Sequence, residues 1–118
     1  TDLGPQAFAD FLENFDRESF GVNYDIGNSA SIGFNPREEF AAIGPRILNV
    51  HVKDRVLGGT TVPLGNGNAD FPTVFRCLNE HGYVGNLIMQ TARAQDGNHA
   101  EVLAMYREQI VHWMGEAK

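Results

Sequence analysis

The segment from Arg46 to Val52 is the feature that most constrains the fold of this chain. After its first residue it reads Ile-Leu-Asn-Val-His-Val, a nearly continuous apolar run with several β-branched residues. Such a run is typical of a strand that is buried on both faces of a parallel sheet. Because parallel strands are joined by long crossover connections, usually helices, the segment predicts an α/β fold.

Two other segments, residues 21–25 and 86–91, have the composition of short strands. Residues 27–33, rich in Gly, Asn and Ser, and residues 53–69, which contain several glycines and no helical period, are predicted to be loops. The connections between the three strands are too long for hairpins. They therefore favour a parallel sheet in which each strand is followed by a helix.

Amphipathic helices fill the intervals between the predicted strands. Apolar residues recur at i, i+3, i+4 and i+7 in residues 5–16, and a short helix is expected from Pro36. The same period recurs in a helix that Asp70 can cap and Gly82 can end. A last helix is predicted after Asn98. The expected order is one helix followed by three strand-helix units.

The composition excludes several classes of protein. Nine basic against fifteen acidic residues give a net charge of −6, which repels nucleic acid and anionic membranes on average. A small anion such as a phosphate ester is still compatible, because one Arg and a few backbone N–H groups suffice to hold it. No run approaches the roughly 20 apolar residues of a membrane-spanning helix, and no signal-peptide pattern occurs at the start. We therefore expect a cytoplasmic protein whose start, Thr1, is a processed, trimmed or cut end.

Each predicted strand has a polar residue near its C-terminal end, namely Asp25, His51 and Gln90. Because side chains alternate along a strand, all three are expected on the face turned away from the helices. The helix-covered face of the first two strands is expected to carry Val22, Tyr24, Leu48, Val50 and Val52. The polar side chains should therefore converge at one edge of the sheet. Taken singly, Asp25 and His51 are also explained as polar groups that bond to each other or to nearby backbone.

Four short motifs occur in a fixed order along the chain. They are Asn23-Tyr-Asp-Ile-Gly-Asn28, His51-Val-Lys-Asp-Arg55, Pro63-Leu-Gly-Asn-Gly-Asn-Ala-Asp-Phe71 and Gly82-Tyr-Val-Gly85. In order and spacing they resemble the xylose isomerase-like superfamily of TIM barrels. The resemblance is greatest to L-ribulose- or L-xylulose-5-phosphate 3-epimerases and hexulose-6-phosphate isomerases. It covers residues 21–118 and implies the last three strands of a barrel with their helices.

The resemblance also implies a partial barrel over a single domain, residues 1–118, because a complete barrel has about 250 residues. In such families four side chains, a Glu, an Asp, a His and a second Glu, hold a divalent metal. The resemblance implies that Asp25 and His51 are metal ligands, and it puts Gln90 where the family has its second Glu. The first Glu lies upstream of this chain. With only two of the four ligands present, the resemblance implies that Zn, Mn or Mg is bound weakly or not at all. An amide cannot act as a base, so no catalytic residue is assigned.

The resemblance further implies that Asn28, Arg55, Gly65 and Gly67 contact the substrate, with the glycine turn near its phosphate end. Plainer explanations stay open. Arg55 is also explained as a solvent-facing charge, the two glycines as turn geometry, and the run Lys53-Asp54-Arg55 as a solvated loop.

These expectations describe an isomerase- or epimerase-like partial barrel for sugar phosphates, of the racemase and epimerase class. Its proton transfer is expected to be impaired in this chain alone, which leaves open whether the chain is an enzyme. The alternative is a non-catalytic oligomeric module that binds a sugar or phosphate, or serves as an interaction surface. Three strands cannot close a barrel, so the expected partner is a second copy in a homodimer or a separate polypeptide that supplies the other half. Neither nucleic acid nor a membrane is an expected partner.

Overall fold

A parallel three-stranded sheet is the centre of the protein in the computed structural model, which describes all 118 residues. Its strands are β1 (Val22–Asp25), β2 (Ile47–Val52) and β5 (Asn86–Met89), and β2 lies in the middle. Both strand pairs are parallel. The predicted α/β class with a parallel sheet is therefore confirmed.

Five helices and a small hairpin connect and flank these strands. The helices are α1 (Pro5–Leu12), α2 (Ile26–Ile32), α3 (Pro36–Ile43), α4 (Phe71–Glu80) and α5 (His99–Glu116). The connection between β2 and α4 contains an antiparallel pair, β3 (Asp54–Arg55) and β4 (Thr61–Val62). None of the helices combines the length and apolar character needed to cross a membrane.

The prediction of a loop at residues 27–33 is wrong, because α2 occupies this stretch. Asp25 caps the helix by accepting a hydrogen bond from the Asn28 N–H at 2.9 Å. Gly33 ends it with a φ of 90°, a conformation that glycine adopts without steric cost. Good caps at both ends thus outweigh the low helix propensity of the residues between them.

The ends of the other helices follow the predicted signals more closely. Asp70 accepts a hydrogen bond from the Thr73 N–H at 3.1 Å, and Gly82, with a φ of 65°, follows the end of α4. Asn98 precedes α5, although its side chain bonds to Glu101 rather than to a backbone N–H. The first helix ends at Leu12 rather than residue 16, since the chain continues in tight i→i−3 turns.

Leu48 does not lie on the helix-covered face, contrary to prediction, and 66% of its surface is exposed. Val22 is opposite Ile47 whereas Asn23 is opposite Asn49, so the register shifts between these pairs and Leu48 has no partner. This irregularity breaks the strict alternation on which the prediction depended. The remaining apolar residues predicted for this face are buried, as expected.

The hydrophobic core lies between the sheet and its helices. Helices α1, α3, α4 and α5 contact one another in succession. The buried side chains include Val22, Tyr24, Ile26, Phe40, Ile43, Val50, Val52, Phe71, Val74, Phe75, Leu78, Tyr106 and Ile110. The rings of Phe71 and Trp113 stack at 4.4 Å and join α4 to α5.

A carboxyl group, that of Glu39, is also buried on the helix side of the sheet. It accepts hydrogen bonds from the Tyr24 hydroxyl at 2.7 Å and the Ser29 hydroxyl at 2.6 Å. Burial raises the pKa of Glu39, and the two hydrogen bonds offset only part of this effect. Burial likewise raises the pKa of Tyr24. The network ties α3 to β1 and α2.

We expect the Glu39 carboxyl to make stability fall as pH rises. A raised pKa in the folded state means that its contribution is fully present below the unfolded value of 4.5 and is lost as pH rises through the higher folded value. Glu39→Gln should remove this part of the slope in urea unfolding between pH 4 and pH 7. Glu38→Gln, an exposed change on the same helix, should retain it. An unchanged slope in Glu39→Gln would contradict the assignment.

Candidate active site

The structure brings Asp25, His51 and Gln90 to one edge of the sheet. Asp25 ends β1 and is opposite His51, and Gln90 directly follows β5. The Gln90 N–H donates to the Val52 carbonyl at 3.0 Å, which extends the strand pairing by one residue. All three side chains line an open cavity of about 360 Å³. The convergence expected from strand alternation is therefore present.

Other residues also line the cavity, and of these Asn28 is one that the sequence analysis had given as a site residue. Lys53 and Asn28 line it beside the strand ends, and Glu39 reaches it from α3. The N-terminal segment and α1 contribute Thr1, Leu3, Pro5 and Phe8. Polar groups on the sheet thus face a more apolar wall formed by the start of the chain.

Asp25 is the most connected side chain of the site. Its Oδ1 accepts the hydrogen bond from the Asn28 N–H, and its Oδ2 lies 3.3 Å from Lys53 Nζ and 3.7 Å from His51 Nδ1. The last distance is too long for a hydrogen bond, so Asp25 and His51 are neighbours that do not bond directly. The carboxylate is only 12% exposed. Its charge is balanced chiefly by Lys53.

Lys53 was not identified as a site residue from the sequence. Its side chain is only 14% exposed, and it packs against Gly27 at the start of α2. A Cβ atom at Gly27 would come within 2.7 Å of Lys53 Cγ and 2.9 Å of its carbonyl oxygen. Strand alternation could have indicated Lys53, because it is two residues beyond His51 and therefore shares its face of the sheet.

Two of the predicted substrate-binding residues, Asn28 and Arg55, contact each other. Arg55 donates to the Asn28 side-chain oxygen at 2.9 Å and, through two nitrogens, to the Gly59 carbonyl at 3.0 and 2.6 Å. Arg55 is therefore partly buried and bonded within the protein rather than a free surface charge. Contact of either residue with a substrate stays a prediction.

The other two predicted residues, Gly65 and Gly67, lie in a loop organised by Asp54. Both N–H groups donate to Asp54 Oδ2 at 2.9 Å, and the Ala69 N–H donates to its Oδ1 at 3.1 Å. Asp54 is completely buried, so the interpretation of this run as solvated loop is wrong for Asp54. These glycine N–H groups already have an anionic acceptor. Their contact with a substrate phosphate stays a prediction.

We expect this loop to depend on the absence of a side chain at Gly67. An added Cβ would lie 2.2 Å from Asp54 Oδ1 and 2.6 Å from the Arg55 carbonyl oxygen. Gly67→Ala should therefore lower the free energy of unfolding by roughly 3 kcal/mol. Gly65→Ala has free space around it and should cost about 1 kcal/mol through its positive φ alone. Urea denaturation measures both, and equal losses would contradict the crowding at Gly67.

The donor set of this cavity does not fit a tightly bound divalent metal. No group of three or more His, Cys, Asp or Glu side chains converges in the protein. Asp25 and His51 supply one carboxylate and one imidazole, and Gln90 adds only a neutral amide. Lys53 Nζ lies 3.3 Å from Asp25 Oδ2 and balances the charge of that carboxylate. Transition-metal sites in proteins usually have at least three protein ligands.

The family model of the xylose isomerase-like TIM barrel matches residues 4–109. The chain therefore belongs to this family. It is 31% identical over 111 residues to L-ribulose-5-phosphate 3-epimerase UlaE of Salmonella paratyphi A, a match that covers 93% of this chain and 38% of that protein.

Solved structures show the same fold. A xylose isomerase domain protein from Planctomyces limnophilus superposes with a TM-score of 0.76 and 26% identity, over 94% of this chain and 44% of that one. A xylose isomerase-like TIM barrel protein from Mycobacterium smegmatis, in complex with magnesium, has a TM-score of 0.71 and 23% identity, over 97% and 40% of the two chains. The chain thus spans about two fifths of these proteins and 38% of the first curated relatives. The predicted fold class, part of a TIM barrel, is confirmed.

Proposed function

We propose that this chain forms a sugar-phosphate-binding wall of an isomerase- or epimerase-type site, and that its own capacity for proton transfer is impaired. One observation carries the proposal: Gln90, an amide, lines the same cavity edge as Asp25 and His51. The polar groups there suit a polyhydroxylated ligand, whereas the amide cannot exchange a proton with it.

Binding is supported by the size and chemistry of the cavity. A volume of about 360 Å³ lies within the usual range for small-molecule sites. Asn23, Asn28 and Gln90 offer both donors and acceptors for hydroxyl groups, and Lys53, paired with Asp25, provides N–H donors. The similarity to an L-ribulose-5-phosphate 3-epimerase supports a pentulose phosphate as the first ligand to test.

Impaired proton transfer is supported by the chemistry and contacts of the polar side chains at the strand ends. Epimerisation or isomerisation beside a carbonyl needs one group to take a proton and a group to return it. Gln90 does neither, and Asp25 is held by Lys53 and the Asn28 N–H. Apart from the paired Asp25 and Lys53, His51 is the titratable side chain at these strand ends. One imidazole without a correctly placed partner is a poor catalyst for this reaction.

We expect L-ribulose 5-phosphate to raise the melting temperature of the chain. At ten times its dissociation constant the ligand should add about 1.4 kcal/mol, which is a shift of several degrees for a domain of this size. His51→Ala should abolish the shift, while His112→Ala, an exposed change on α5, should preserve it. Ribulose and inorganic phosphate, tested separately, show which half of the ligand is recognised.

The same samples, incubated in D₂O, test the second half of the proposal. Binding without incorporation of deuterium next to the carbonyl, followed by NMR, is the expected result. Rapid incorporation by the chain alone would contradict impairment. Absence of a thermal shift with every sugar phosphate would contradict binding and leave an interaction surface as the function.

A non-catalytic oligomeric module is favoured by one further observation, the open sheet. The strands β1 and β5 each have one edge without a paired strand. Ile88, on the same face as His51, is 44% exposed. Unpaired edges and exposed apolar side chains of a parallel sheet are usually covered. A second copy of the chain, or other strands of a barrel, would provide that cover.

We expect light scattering to give twice the mass of the chain, as for a homodimer. Replacing Ile88 by Lys should shift the equilibrium toward monomer, because it introduces a charge on the face to be covered. Ile32→Lys, an exposed apolar position on α2, serves as the matched control. A monomer at all concentrations would contradict self-association and favour strands from a separate segment.

A further inference from the structure

Asn28 and Arg55 stand in different relations to the cavity at the strand ends. Asn28, on α2, lines the cavity, whereas Arg55, on β3, is not among the residues that line it. The two side chains are joined by the hydrogen bond that Arg55 Nη1 donates to Asn28 Oδ1 at 2.9 Å. Arg55 is therefore placed to influence a ligand through Asn28 rather than by direct contact.

We propose that Arg55 is a positioning residue, which holds the Asn28 amide so that its NH₂ group is presented to the cavity. The proposal rests on the proposed function, because it concerns how the same site recognises a sugar phosphate. An NH₂ group donates two hydrogen bonds and accepts none. The ligand group at Asn28 is therefore an acceptor oxygen, as in a carbonyl or a phosphate.

The chemistry of the guanidinium group determines the orientation of the amide. Every N–H group of Arg donates and none accepts, so the atom of Asn28 that Arg55 contacts is the oxygen. The amide nitrogen is bonded to the same carbon and has no acceptor within the protein. The neighbouring amides of Asn23 and Asn49 also bond to each other, at 2.8 Å, but they can exchange donor and acceptor if both flip. Asn28 thus offers a donor of defined direction, which that pair does not.

Both residues are held by further hydrogen bonds. The Asn28 N–H donates to Asp25 Oδ1 at 2.9 Å, which fixes the backbone in the first turn of α2. Arg55 Nε and Nη2 donate to the Gly59 carbonyl at 3.0 and 2.6 Å. The guanidinium group cannot turn toward the cavity without breaking its bonds to Asn28 and Gly59. It is consequently suited to orient a neighbour and poorly placed to bind a ligand itself.

A double-mutant cycle on ligand affinity tests the proposal. Calorimetry with L-ribulose 5-phosphate compares the wild-type chain, Arg55→Met, Asn28→Ala and the double variant. Each single variant should bind about 10-fold more weakly, and the double variant no more weakly than Asn28→Ala. Arg37→Met, which removes the same charge from the surface of α3, should bind like the wild-type chain. An equal loss from Arg55→Met with and without Asn28→Ala would show direct contact of Arg55 with the ligand and overturn the proposal.

The variant Asn28→Asp separates positioning from a merely structural role. Its carboxylate retains an acceptor for Arg55, so its melting temperature should stay above that of Asn28→Ala. Exchange of the NH₂ donors for a second acceptor should nevertheless lower the affinity for L-ribulose 5-phosphate at least 10-fold. Asn79→Asp, which adds the same charge at the exposed end of α4, should leave the affinity unchanged. Wild-type affinity in Asn28→Asp would contradict the proposal.

The separate parts of the ligand show which oxygen Asn28 contacts. A loss of affinity in Asn28→Asp for inorganic phosphate assigns the phosphate group to Asn28, and a loss confined to ribulose assigns the sugar carbonyl. Failure of all three ligands to bind the wild-type chain would contradict the proposed function. Melting temperatures of the free chain then decide whether Arg55 holds Asn28. The losses from Arg55→Met and Asn28→Ala should be less than additive, and full additivity would refute the positioning role.

Discussion

The parallel pairing of β2 with both of its neighbours is the constraint on which the rest of this structure depends. Val50 and Val52 are completely buried in this central strand, so β2 cannot shift without exposing them. The register that results puts Asp25 opposite His51 and leaves Gln90 at the adjoining strand end. The composition of the cavity is therefore a direct consequence of how the core is packed.

Carboxylates have three different roles in this small domain, and burial alone does not distinguish them. Glu39 joins helices to the sheet through two hydroxyl groups, and Asp54 organises a loop through three backbone N–H groups. Asp25 has a third role: it caps α2 through the Asn28 N–H and pairs with Lys53 at the ends of the strands.

Membership of the xylose isomerase-like TIM barrel family gives this cavity its context, and the chain spans only part of the proteins it matches. Within that part, Gln90 supplies a neutral amide at the edge of the cavity, and Lys53 pairs with Asp25. The strands β1 and β5 each leave one edge of the sheet without a paired strand.

The sequence by itself determined the α/β class, the three parallel strands and the side of the sheet on which Asp25, His51 and Gln90 lie. It could do so because hydrophobic periodicity and strand alternation are local properties that survive folding. The same rules failed at Leu48, where a register shift interrupts the alternation, and at α2, where capping overrides weak propensity.

Only the tertiary structure decided what the polar residues do. The contact of Lys53 with Gly27 and Asp25 joins segments that are more than 25 residues apart, and Asp54 meets glycine N–H groups across a loop. Such pairings depend on which segments the core brings together, and no periodicity encodes them. For that reason the strand ends were predictable as a site, whereas the pairing of Lys53 with Asp25 was not.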